Sequence, residues 1–124
     1  MRKKVEKRLY PRIGHNLPIK VAVNGYDFIT TTKNVSCVGV CCHLKKYVPP
    51  FTKVSVKLSL PVKIKKVNKN LLIKCIGVVV RTEDEKKESG FNVAIFFNQI
   101  SENQRKKINL YISQFIPPSS PVPL

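Results

Sequence analysis

Acidic side chains are scarce: seven Asp and Glu stand against 23 Lys and Arg in 124 residues, and none occurs between Asp27 and Glu83. Four of the seven (Glu83, Asp84, Glu85 and Glu88) crowd one short run, so no separated pair of carboxylates offers itself for general acid–base chemistry. No Ser, His and Asp stand in a recognisable nucleophile context, and there is no Walker-type glycine loop. Long apolar runs are missing too. No segment nears the ~20 residues a membrane span needs, and no apolar signal-peptide core follows the basic N-terminus before Pro11. These absences predict a cytoplasmic protein that is not an enzyme. Cys37, Cys41, Cys42 and Cys75 show neither CxxC spacing nor a disulfide framework. In Cys41-Cys42-His43, neighbouring strand residues point to opposite faces, so no metal site is expected, and small buried thiols are.

What remains is a strongly basic chain of one domain's length, with net charge +16 and pI near 10.0. Ten lysines fall within the acid-free stretch, among them Lys45, Lys53, Lys57, Lys63, Lys69 and Lys74. Such a field favours anionic partners without choosing among nucleotides, nucleic acid, an acidic protein and a membrane surface. Aromatic residues are few, and Tyr10, Tyr26 and Tyr47 form no stacking run of the kind single-stranded nucleic acid uses.

Residues 1–7 read as a basic arm with little structure of its own, residues 8–116 as one domain, and residues 117–124 as an unstructured Pro/Ser tail. Pro18–Val23 and Tyr26–Thr31 are predicted strands joined at Asn24-Gly25, a pair that tolerates positive φ. A Lys33–Ser36 loop leads into a third strand, Cys37–His43. Val54–Leu60 alternates as a half-buried strand should, and Val62–Asn70 either extends it or forms a mobile loop. Leu71–Arg81 and Phe91–Phe97 complete the set, with the Glu83–Gly90 run as a loop between them. Six strands with hairpin-like connections predict an all-β fold, an antiparallel barrel that removes open edges by closure. Ser101 with Gln104 forms a capping-box pattern at the start of a C-terminal α-helix. Ile108, Tyr111, Ile112 and Phe115 share one face of that helix, which is expected to pack on the barrel or plug its end. Pro117-Pro118 stops it.

Two short motifs carry the functional reading. Arg8-Leu9-Tyr10-Pro11-Arg12 supplies two guanidinium forks on a segment that Pro11 pushes toward extended conformation. Asn34-Val35-Ser36-Cys37-Val38-Gly39 supplies short polar side chains beside a glycine. Arg donors match guanine O6 and N7, stack on bases and grip phosphate bidentately, while Asn and Ser add hydrogen bonds. Taken alone, Arg8 and Arg12 read as surface arginines, Asn34 and Ser36 as turn residues, and Gly39 as a strand bulge.

Both motifs in this order, followed by Ile76–Arg81, Phe91–Phe97 and the Ser101–Phe115 segment, resemble the PilZ-domain family of cyclic di-GMP receptors, over roughly Arg8 to Ile116. The resemblance implies binding of cyclic di-GMP without turnover, with no other cofactor. It implies that Arg8 and Arg12 contact guanines and phosphates, that Asn34 and Ser36 contact guanine, and that Gly39 lies beneath the ligand, where a side chain would intrude. Lys7 is a further candidate for a phosphate or a second stacked nucleotide. Arg81, His15 and His43 read as structural or solvated. Signal output would pass to a separate downstream protein once binding orders the arm. The competing reading is a small basic β-barrel that binds nucleic acid through its lysine-rich face.

Overall fold

The computed structural model describes residues 11–116. Six strands alternate side chains between an apolar interior and solvent: β1 (Pro18–Val23), β2 (Tyr26–Val35), β3 (Gly39–Leu44), β4 (Lys53–Ile64), β5 (Val67–Asp84) and β6 (Phe91–Gln99). On β4, Val54, Val56, Leu58, Leu60 and Val62 point inward between outward Lys53, Ser55, Lys57, Ser59 and Pro61, the two-residue period of a strand with one wet face. The strands form a closed antiparallel barrel in the order β1-β2-β3-β6-β5-β4, with β4 returning to pair with β1. Closure leaves few edges to protect. One helix, α1 (Glu102–Ser113), comes after β6, and it buries Ile108, Tyr111 and Ile112 against the barrel core. The basic arm at 1–7, with Lys7, and Arg8 beyond it, lie outside the described residues, as does the 117–124 tail.

Several boundaries differ from the sequence expectation. The predicted Lys33–Ser36 loop is largely strand, because β2 runs on to Val35 with a bulge between Thr32 and Asn34. Its backbone groups are satisfied on one side by β3 and on the other by the preceding segment. Ile13 and Val35 exchange two backbone hydrogen bonds (2.8 and 2.9 Å), and buried Thr32 accepts from Leu17 N and donates to His15 O. The third strand starts at Gly39 because residues 36–39 form a turn, closed by Ser36 N donating to Gly39 O at 2.9 Å. Val62–Asn70 is a hairpin continuing β4 into β5, with Lys65 and Lys66 both at positive φ (51° and 67°) in the turn. No Asn or Gly marks that turn.

At the helix only half of the capping box forms. Ser101 Oγ accepts from Gln104 N at 3.2 Å, but the Gln104 side-chain Oε1 accepts from Lys74 N of β5 at 2.7 Å. Lys74 lies beyond the end of β6, so its outward N–H lacks a strand partner and the helix supplies one. Gln114 does the same for Lys63 N of β4 (3.0 Å). Phe115 is half-exposed instead of core, stacked edge-on against His15 at 4.7 Å between ring centroids.

Candidate functional site

The outer face of β2, β3, β6 and β5 carries a cleft of about 160 Å³. Strand register explains its shape. Asn34 pairs with Cys41, Cys41 with Ala94, and Ala94 with Arg81, so one row crosses four strands with small side chains in the middle and polar ones at both ends. At ~4.8 Å per strand the two ends lie roughly 14 Å apart. In the next row Gly39 pairs with Phe96, and these two with Val80 of β5 form the other part of the floor. Pockets that enclose a small ligand usually hold about 300–1,000 Å³, so among the described residues this cleft is small and open.

Arg12 reaches the cleft because residues 13–17, just after it, are pinned to β2. The Ile13–Val35 bridge and the His15–Leu17 stitches onto Thr32 fix the chain beside the end of that strand, with the exposed Arg12 one residue upstream. The β2 bulge between Thr32 and Asn34 re-aims the strand there, and no side-chain hydrogen bond of Asn34 occurs among the described residues. Its amide keeps both donor and acceptor capacity toward the cleft.

Ser36 and Gly39 also line the cleft, yet each has a local task. Ser36 is 5% exposed, and its hydroxyl accepts from Val38 N (3.2 Å) and donates weakly to Gly39 O (3.4 Å). The turn they close is held from outside by Arg105 of α1, whose Nη1 donates to Cys37 O at 3.2 Å. A Cβ on Gly39 would collide with the carbonyl oxygen of Ile95 on β6 and come within 3.3 Å of its carbon. The glycine is therefore needed for strand packing, whatever lies in the cleft.

Arg81, read from sequence as structural or solvated, lines the cleft wall opposite Asn34. Its Nε sits 3.3 Å from the Glu83 carboxylate, an exposed pair that leaves the guanidinium open to other anions. Nothing local signals this placement, which comes from the register of β5 on β6 and the bulge between Val79 and Arg81. Burial pushes the Cys41 thiol up, while Arg81, Lys33 and Arg12 pull against that, a sign of how cations surround the middle of the row. Lys33 itself donates to Glu85 at 2.7 Å.

His15 and His43 take the structural roles expected of them. His15 Nδ1 shares a 2.6 Å hydrogen bond with the Tyr111 hydroxyl, and His43 Nε2 lies 2.8 Å from Ser89 O. The thiols of Cys37, Cys42 and Cys75 are buried, and desolvation raises the pKa of Cys42 to about 12 and of Cys75 to about 11. Among the described residues no three His, Cys, Asp or Glu side chains cluster as metal ligands, and no helix is long and apolar enough to cross a membrane.

A family model described as PilZ domain matches residues 6–114. No curated protein matches the sequence significantly. Among solved structures, Bacillus subtilis inhibitor of motility (MotI/DgrA) superposes on 90% of the chain with a TM-score of 0.75 at 15% identity, and the chain spans 52% of that protein. The PilZ domain of YcgR from Escherichia coli, solved with c-di-GMP, superposes on 87% of the chain and 91% of its own length with a TM-score of 0.60 at 10% identity. At such identities the likeness is one of fold.

Proposed function

The chain belongs to the PilZ-domain family, and from that premise we propose that it is a receptor for cyclic di-GMP that binds the dinucleotide across the β2-β3-β6-β5 face without turning it over. The observation that carries this reading is the polar-ended row Asn34–Cys41–Ala94–Arg81, with Arg12 delivered beside it by the Ile13–Val35 bridge. Small central side chains admit a flat base, the Asn34 amide can pair with a purine edge, and the two arginines flank a dianion. The YcgR domain, bound to c-di-GMP, has the same fold.

In this reading Arg8 joins Arg12 over the ligand, giving the open cleft its roof, and Lys7 reaches a phosphate or a second stacked nucleotide. Ser36 and Gly39 act chiefly by shaping the turn beneath. Ligand draws the 7–12 segment onto the barrel, and a downstream protein reads the surface so formed. That is allostery only if the partner distinguishes the two states of this segment. Hydrogen exchange tests the reading: saturating cyclic di-GMP is expected to protect the Leu9, Tyr10 and Arg12 amides while the barrel strands change little. Equal exchange of the segment with and without saturating ligand would rule the mechanism out.

A further inference from the structure

The barrel carries a second ordered row, on the side away from the cleft. Lys20 of β1 pairs with Ile29 of β2 and with Lys57 of β4, and Lys57 pairs with Lys74 of β5. The row Ile29–Lys20–Lys57–Lys74 points outward, because its neighbours Ile19, Val21, Val56, Leu58 and Ile73 are all buried. Lys53 and Lys63 project from the same face of β4. Only Lys20 finds a carboxylate, Asp27 at 3.2 Å; Lys57 and Lys74 have none among the described residues. Like charges directly opposite each other on paired strands destabilise a sheet, so the folded chain holds this arrangement at a cost. Apolar side chains sit among the lysines: Ile29 is 82% exposed and Leu72, opposite Ser59, is 48% exposed.

We propose that this face docks onto an anionic phospholipid surface. Its chemistry separates that partner from two others. Protein–protein interfaces are depleted in Lys and enriched in Arg and aromatic residues, and bidentate phosphate or base recognition also favours Arg; strands β1 and β4 contain neither, and the exposed Phe51 lies at the far end of the face, before β4 begins. A sugar–phosphate backbone gives Ile29 and Leu72 nothing to pack against. A bilayer interface accepts both groups, with ammonium ions at the lipid phosphates and the isoleucine and lysine methylenes against the acyl boundary. In the ring order β6 lies opposite β1 and β3 opposite β4, so a docked barrel keeps its cleft turned to solvent. Docking of this kind is independent of what occupies that cleft.

Sedimentation of the full chain with vesicles tests this. Phosphatidylcholine vesicles with about 30% phosphatidylglycerol should bind it, pure phosphatidylcholine should not, and binding should weaken as salt rises from about 0.05 M to about 0.3 M. Each lysine of the row contributes about fivefold, so Lys57→Gln with Lys74→Gln should weaken binding roughly 25-fold. Lys86→Gln with Lys87→Gln, the same charge change in the exposed loop before β6, should do far less. The Lys57/Lys74 variant should melt no lower than the parent, because it removes an opposed like-charge pair. Ile29→Ser should weaken vesicle binding with no change in charge. Equal losses from the two lysine pairs would reduce the effect to net charge and overturn the proposal. So would duplex DNA binding more tightly than the vesicles at equal salt, with the same dependence on Lys57 and Lys74.

Discussion

Gly39→Ala separates what the barrel needs from what a ligand needs. An alanine Cβ there would meet the Ile95 carbonyl oxygen and lie 3.3 Å from Ile95 C and 3.4 Å from Phe96 Cα. Even weak C–H···O contacts between strands keep about 3.3–3.6 Å, so β3 must move off β6 by roughly 1 Å at this point. The backbone hydrogen bond from Phe97 N to Val38 O at 2.8 Å, which ties β6 to the residue before β3, lies in the path of that movement. Overpacking of this kind costs about 1–3 kcal/mol, and weakening one such hydrogen bond adds about 0.5–1.5 kcal/mol. A loss of about 2–4 kcal/mol lowers the melting temperature of a domain this size by roughly 8–16 °C. Circular dichroism melts of the ligand-free protein measure it directly. Asn34→Ala, with no side-chain partner to lose among the described residues, should melt close to the parent. If Gly39→Ala melts within about 2 °C of the parent, the packing argument fails and the glycine serves the ligand alone.

Lys66→Gly relieves a non-glycine residue at φ 67° and should stabilise the chain by about 1 kcal/mol, read as a higher urea midpoint with unchanged slope. Cys41 lies in the cleft whereas Cys42 is fully buried with its pKa near 12, so at alkaline pH iodoacetamide should label Cys41 well before Cys42. Saturating cyclic di-GMP should block the Cys41 adduct in the mass spectrum, and unblocked labelling would place the ligand elsewhere. Glu85 has its pKa lowered by Lys33, and Lys33 has its own raised by the Glu85 hydrogen bond. The stability this tie contributes is therefore present above the ordinary carboxylate value of 4.5 and lost as pH falls through the depressed one. Toward high pH it persists to the ordinary lysine value of 10.5 and is lost through the raised one. The stability difference between parent and Glu85→Gln should hold between those limits and vanish in acid, and a gap that widens in acid would contradict the sign.

Local signals made the first hairpin and the barrel walls legible. Asn24-Gly25 is the turn its residue types demand, with φ 49° and 81°, and the Val54–Leu60 alternation became β4. The β4–β5 turn was opaque because Lys65 and Lys66 occupy conformations that lysine rarely takes, held by twelve register pairs from the flanking strands. Ser101 and Gln104 were legible as a cap, but the unpartnered Lys74 N–H that claims Gln104 is a consequence of where β6 ends. At the candidate site, Arg12 and Asn34 were visible as motif residues. Arg81 was not, since its place depends on pairing with Ala94 across a bulge. The lysine row was hidden for the same reason: alternation puts Lys57 outward, while its alignment with Lys20 and Lys74 exists only across strands.

Calorimetric titration of cyclic di-GMP into the full chain, with GTP as control and Arg12→Ala as the matched variant, tests the central claim most directly. The account predicts saturable binding to the parent, little or none with GTP, and a loss for Arg12→Ala of about 2–4 kcal/mol, or roughly 30-fold or more in affinity. A parent that does not bind cyclic di-GMP, or an Arg12→Ala variant that binds like the parent, would contradict it.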